Sequence, residues 1–154
     1  VNPNSDELSI IGIDSSYSYK KLTGIDSKTC FLSYSSYGSG KGESVDKVKD
    51  AVKLAKAKDS NLIIDGELQV DAAINASVCD RKAPNSVIKG DSNVLIFPDL
   101  NSGNIGYKLV KEFSGAKCYG PIMQGLTKPV NDLSRVCTSE EIVGVILITC
   151  LQAW

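Results

Sequence analysis

The sequence predicts an α/β protein, a layered αβα arrangement on a mostly parallel sheet. Three observations predict it. Short apolar runs alternate along the chain with longer stretches of helical period. The runs Leu62 to Ile64 and Val94 to Phe97 show no polar alternation, as strands covered on both faces do. Capping residues and glycines bracket the periodic stretches.

The elements follow in order. Asn4 is placed to cap a first helix, with Glu7 three residues later closing a capping box. Leu8, Ile11, Tyr19 and Leu22 fall to one side of it, and Gly24 stops it. Thr29 to Ser35 reads as a strand, followed by the glycine loop Gly38-Ser39-Gly40-Lys41-Gly42. A second helix is expected from about Ser44 to Lys58, with Val45, Val48, Val52 and Ala55 as its buried stripe. After the strand at Leu62, one helix is expected over Gln69 to Lys82, then a polar surface excursion from Ala83 to Asn93. The strand at Val94 leads to a helix over Asn101 to Ser114, with Ile105, Leu109 and Phe113 inward. Ala116 to Ile122 reads as a last strand, and a final helix starts at Thr138.

Bulk properties exclude several function classes. The 154 residues make one ordinary domain, 42% hydrophobic and 23% charged, with net charge −1. Basic and acidic residues nearly balance and aromatics are sparse, which argues against a nucleic-acid partner. The longest apolar run, Ile142 to Leu151, is too short to span a bilayer, so no membrane partner is expected. The chain opens on Val and not Met, and is expected to be a piece of a longer polypeptide. The five cysteines are odd in number and lack CxxC spacing, so free thiols in a reducing cytoplasm are expected. With no histidine present, proton transfer falls to a carboxylate, lysine, tyrosine or the substrate.

Sheets of this kind place ligand sites at the carboxyl ends of their strands, which directs attention to the glycine loop. It is not a P-loop: Ser35 stands where the first glycine is needed, and Gly42 follows Lys41. Two readings remain open, a plain turn and a loop whose backbone N–H groups face an anion. Asp65, Glu67 and Asp71 form an acidic cluster past a buried strand. Magnesium would suit such oxygens, but the stronger reading is structural: Asp65 and Glu67 accept from loop amides and Asp71 sits in a first helical turn. Ser134 and Arg135 put a hydroxyl beside a guanidinium, whose planar fork suits a phosphoryl group. Glu141 lies at the third position of the last helix, where Thr138 and Glu141 would form a capping box. The helix dipole favours the ionised form of a carboxylate placed there.

Several ungapped blocks resemble phosphate acetyltransferase (phosphotransacetylase), in its C-terminal half: Gly38 to Lys41, Val45 to Val48, Asp65 to Ala73, Ile96 to Tyr107 and Lys128 to Arg135. The resemblance implies the second domain of the phosphate acetyl/butyryltransferase fold over residues 1–120. Residues 121–154 are then a C-terminal segment that carries cleft residues and returns to the first domain, and the N-terminal half is absent. It implies transfer of an acetyl group between acetyl phosphate and coenzyme A by direct thiolate attack in a ternary complex. Coenzyme A enters as a substrate, no metal is required, and the intact enzyme is a cytoplasmic homodimer of acetate metabolism. By matching positions, Ser134 and Glu141 are the catalytic residues, and Arg135, Asn131, Ser39 and Lys41 bind substrate.

Four positions depart from the family pattern. Glu141 replaces an aspartate, Val136 a glycine that would be strained as valine if its φ is positive, and Glu112 and Tyr37 replace basic residues. The isolated chain is therefore expected to be weakly active or inactive. The resemblance leaves two other readings, a butyryl-specific acyltransferase and a non-catalytic acetyl-coenzyme A-binding or oligomerisation module of the kind fused to malic enzymes.

Overall fold

The structure is a computed structural model that describes all residues 1–154. Its elements are α1 (Ser5–Thr23), β1 (Lys28–Leu32), α2 (Glu43–Lys58), β2 (Ile63–Leu68), α3 (Val70–Ile74), α4 (Ala76–Lys82), β3 (Val94–Ile96), α5 (Leu100–Ser114) and α6 (Ser139–Ala153). The three strands form one parallel sheet in the order β2-β1-β3, as the apolar runs predict.

The central strand organises the interior. Successive side chains of a strand point to opposite faces. Phe31 points into a cluster with Leu8, Val48, Val52, Ile64 and Ile96, under α1 and α2. Cys30 and Leu32 point the other way, onto Leu68, Ala72, Ala73, Cys79 and Ala83. Helices α1 and α2 therefore cover one face, and α3 and α4 the other. Burial pushes the Cys30 thiol far up from its ordinary range, with the nearby charge of Asp65 adding to it. Cys30 acts as packing, and all five cysteines are free thiols.

Local signals set most boundaries. Asn4 Oδ1 accepts from Glu7 N at 2.9 Å and Glu7 Oε2 accepts from Asn4 N at 2.9 Å, completing the capping box. Gly24 closes α1 in the left-handed region at φ 73°. The expected helix over Gln69 to Lys82 is broken into α3 and α4 at Asn75, which is extended at φ −132°. Asn75 Oδ1 accepts from Val78 N at 3.3 Å, so its side chain caps α4 instead of continuing α3.

Two expectations fail for one reason, the edge position of β3. The helix α5 has no fully buried residue. Its expected inward face is turned out, with Ile105 58%, Leu109 50% and Phe113 85% exposed. β3 pairs only with β1, so no further strand lies beneath α5. For the same reason Ala116 to Ile122 forms no strand: nothing lies beside it to complete a ladder. The segment from Ala83 to Asn93 is also not a surface excursion throughout, since Ala83, Ser86 and Ile88 are fully buried.

Asp65 explains that burial. Its Oδ2 accepts from Ser86 Oγ at 2.7 Å, from Val87 N at 3.1 Å and from Tyr37 Oη at 2.7 Å, while Lys56 Nζ reaches Oδ1 at 3.0 Å. Burial works against the charge of Asp65, but the hydrogen bonds from Tyr37, Ser86 and Lys56 outweigh it and hold the carboxyl below its usual range. No helix is long and apolar enough to cross a membrane.

Two predictions follow from this packing. A Cβ added at Gly12 would lie 2.2 Å from Cζ of Phe31, whose ring is fully buried. Overpacking costs about 1–3 kcal/mol and exceeds the roughly 0.5–1 kcal/mol that alanine returns in a helix. Gly12→Ala should therefore lower the midpoint of thermal unfolding by a few degrees. The second concerns acid. Because the folded pKa of Asp65 is depressed, its contribution is present at neutral pH and is lost as pH falls below about 4 toward the folded value. Denaturant titrations between pH 6 and pH 3 should show stability falling on acidification, and less steeply in Asp65→Asn.

Candidate functional site

The start of α6, the segment before it and the middle of α5 enclose a cavity of about 80 Å³, whose walls include Tyr107, Lys111, Glu112, Cys118, Ser134, Cys137 and Glu141. A larger cavity of about 540 Å³ adjoins it, lined by Leu100, Asn104, Tyr119 and Pro121 and sharing Tyr107, Cys118 and Gly120 with the first. The two form a trough along α5.

Glu141 is fixed from both sides. Thr138 Oγ1 accepts from Glu141 N at 3.2 Å and Glu141 Oε2 accepts from Thr138 N at 2.7 Å, the expected capping box. Lys111 Nζ donates to the other oxygen, Oε1, at 2.7 Å, and the carboxylate is only 13% exposed. Lys111 first, and the Thr138 amide second, hold its carboxyl below the ordinary range. The Lys111 ammonium is raised in turn, chiefly by Glu141. Each carboxylate oxygen accepts one of these bonds, which leaves each a further lone pair.

Ser134 lines the same cavity. Its Oγ accepts from Val136 N at 3.4 Å, which leaves the hydroxyl proton available for donation. The structure thus brings Ser134 and Glu141 together across a distance the sequence leaves open. It does not bring Arg135 with them: Arg135 is exposed, is not among the cavity walls, and makes no hydrogen bond or ion pair.

Asn131 is a strut. Its Nδ2 donates to Thr149 Oγ1 at 2.8 Å and Gln152 Oε1 at 2.6 Å, and its Oδ1 accepts from Met123 N at 2.8 Å. These bonds tie the 121–135 segment to α6. Gln124 does the same toward α1, donating to Ser15 Oγ at 3.0 Å.

Ser39 and Lys41 lie elsewhere, on the loop that leaves the carboxyl end of β1. No hydrogen bond or ion pair joins this loop to residues 131–141. The loop's glycine amides point inward. Gly38 N donates to Glu67 Oε1 at 2.7 Å, Ser39 N to Ser36 O at 3.1 Å and Gly40 N to Ser35 Oγ at 2.9 Å. This corrects the reading in which those amides face an anion, because the buried Glu67 carboxylate already occupies their hollow. Ser39 Oγ accepts from Ser36 N at 2.9 Å, and the Lys41 side chain is exposed and without a partner.

The departures from the family pattern take on physical meaning here. Tyr37, with φ 47°, turns its hydroxyl into the protein to Asp65 and so presents no cation to a phosphate. Burial, then the Asp65 hydrogen bond and charge, push its phenol up. Val136 is 81% exposed and not in the positive-φ region, which among non-glycine residues holds only Tyr37 and Lys89. It carries no strain. Glu112 does face the cavity, but the neighbouring Lys111 supplies a cation to it.

Sequence reasoning missed Lys111. It sits 30 positions from Glu141 in the chain, and no local pattern links residues that far apart. The unexpected acid at 112 was the one signal in its vicinity.

Comparison with known proteins places these features in context. A family model described as phosphate acetyl/butaryl transferase matches residues 1–150. The phosphate acetyltransferase of Clostridium acetobutylicum is 55% identical over 152 residues, covering 99% of this chain and 46% of that protein. Among solved structures, the EutD phosphotransacetylase from Staphylococcus aureus superposes with TM-score 0.93 at 44% identity, over 100% of this chain and 48% of that one. A phosphotransacetylase from Streptococcus pyogenes gives TM-score 0.94 at 44% identity, over 99% and 46%. The chain spans about half the length of these relatives. With a family model matched along nearly its whole length, the chain belongs to the phosphate acetyl/butaryl transferase family.

Proposed function

We propose that the chain supplies one side of an acyl-transfer site that moves an acetyl group between acetyl phosphate and coenzyme A. The observation that carries this reading is the shared cavity of Ser134 and Glu141, with the carboxylate kept ionised. A free thiol has a pKa of about 8.5 and is mostly protonated at neutral pH, so a base in place raises the reactive fraction. Glu141 takes the proton from the coenzyme A sulfur. The thiolate attacks the acetyl carbonyl carbon, forming the carbon–sulfur bond, and the carbon–oxygen bond to phosphate breaks. Ser134 donates a hydrogen bond to the reacting oxygen, and Arg135, exposed and outside the cavity in this chain, neutralises the departing phosphate by turning toward its neighbour Ser134. Ser39 and Lys41 hold a second phosphate, and Asn131 keeps the 121–135 segment seated on α6. No metal enters the scheme.

The site is half built in this chain. The part of the trough that holds Ser134 and Glu141, about 80 Å³, falls well short of the roughly 300–1,000 Å³ typical of ligand pockets, and the adjoining 540 Å³ is lined by none of the expected site residues. Residues 1–120 supply the sheet domain and residues 121–154 a segment that completes its packing on the remaining half found in the relatives. Helix α6 supports this: Val143, Ile146, Leu147 and Leu151 are all more than half exposed at the spacing of a core stripe. The exposed face of α5 is a second uncovered apolar surface, in keeping with a homodimer in the intact cytoplasmic enzyme.

Three expected outcomes test the reading. The isolated chain should form little or no acetyl-coenzyme A from acetyl phosphate, and robust turnover would refute the half-site. When the chain is joined to the remaining half of its Clostridium acetobutylicum relative, Glu141→Gln should lower kcat by roughly 10²-fold, within the range for loss of a general base. Butyryl phosphate run alongside acetyl phosphate separates the two acyl preferences. In the same joined protein, Lys111→Met removes the cation that depresses Glu141, so the carboxyl pKa rises. The acidic limb of the pH–rate profile should move to higher pH.

A further inference from the structure

We propose that Glu67 is a positioning residue for a phosphate group bound by Ser39 and Lys41, an inference that rests on the functional reading above. Glu67 is the penultimate residue of β2 and is 2% exposed. A buried carboxylate is costly unless it is hydrogen-bonded, and both donors to the Glu67 carboxylate come from the segment between β1 and α2 that carries the glycine loop. Gly38 N donates to Oε1 at 2.7 Å and Ser35 Oγ donates to the same oxygen at 2.8 Å. Ser35 Oγ in turn accepts from Gly40 N at 2.9 Å, so one carboxylate orients both glycine amides, the second through a relay. Tyr37 N adds a bond to the Glu67 carbonyl at 3.2 Å.

The hollow of this loop has the form of an anion-binding nest, and the protein fills it with its own anion. The backbone then has no donors left at positions 38, 39 and 40 for an external phosphate. What the loop presents outward is the Ser39 hydroxyl, which accepts from Ser36 N and keeps its proton for donation, and the unpaired Lys41 ammonium. A hydroxyl and an ammonium two residues apart, on a loop already ordered from beneath, bind an anion at less ordering cost than a mobile loop would. The Glu67 carboxylate acts by holding the two groups that do.

Isothermal titration of the joined protein, this chain with the remaining half of its Clostridium acetobutylicum relative, with coenzyme A and, separately, with acetyl phosphate tests this and tells which ligand's phosphate the loop holds. Glu67→Ala should weaken binding of at least one ligand about 10-fold, matching the Ser39→Ala, Lys41→Ala double variant. Glu67→Gln, which keeps an acceptor oxygen, should restore most of it. Ser35→Ala cuts the relay to Gly40 without touching the carboxylate and should give an intermediate loss, which keeps the test informative if Glu67→Ala fails to fold. Amide exchange should show Gly38 and Gly40 protected in the unaltered chain and exposed in Glu67→Ala. Unaltered affinity for both ligands in Glu67→Ala and Ser35→Ala overturns the inference alone. Failure of the unaltered joined protein to bind either ligand overturns the functional reading and this inference with it.

Discussion

Burial of β1 on both faces is the constraint on which the rest of the molecule depends. Thr29, Cys30 and Phe31 are fully excluded from water, so side chains that alternate by strand geometry must find apolar partners on each side. One face draws in α1 and α2 and the other α3 and α4. Parallel pairing with β2 and β3 follows, and it aligns the carboxyl ends of all three strands. The glycine loop, the acidic end of β2 and the start of α5 thereby come to one end of the sheet, where open α/β sheets bind ligands.

At that end the protein spends buried charge on order. Asp65 and Glu67 each serve as an internal anion, Asp65 for the 83–93 segment and Tyr37, Glu67 for the glycine loop. Hydrogen bonds to a charged group contribute roughly 1.5–3 kcal/mol each, more than neutral ones, and here they offset the cost of taking a carboxylate from water. The effect is a loop whose backbone is silent and whose side chains face outward.

The second half of the site is built on a different compromise. Glu141 is anchored by the Thr138 cap and by Lys111, and both favour the ionised form. An anchored carboxylate is well placed but weakly basic. Methylene reach adds to this: glutamate, longer than aspartate, bends back from the first turn of α6 to meet both Thr138 and Lys111. The anchoring and the extra length belong together, since the longer side chain closes the capping box and still spans to α5.

Much of the scaffold was legible in the chain. Asn4 with Glu7, Gly24, and Thr138 with Glu141 marked helix ends because capping is decided by neighbours within one turn. The apolar runs marked strands because covered faces favour apolar side chains; Thr29, Asp65 and Glu67, also buried in β1 and β2, are held there by hydrogen-bond partners that the sequence does not show. The pairing of Ser134 with Glu141 in one cavity, the Lys111 contact, the inward turn of Tyr37 and the outward turn of α5 could be decided only by tertiary structure. Each depends on which surfaces meet across tens of residues, and for α5 on the absence of a fourth strand, which no periodicity within the helix records. Local chemistry determined where elements begin and end; burial against distant partners decided which of their faces became interior, and so which side chains were left to act.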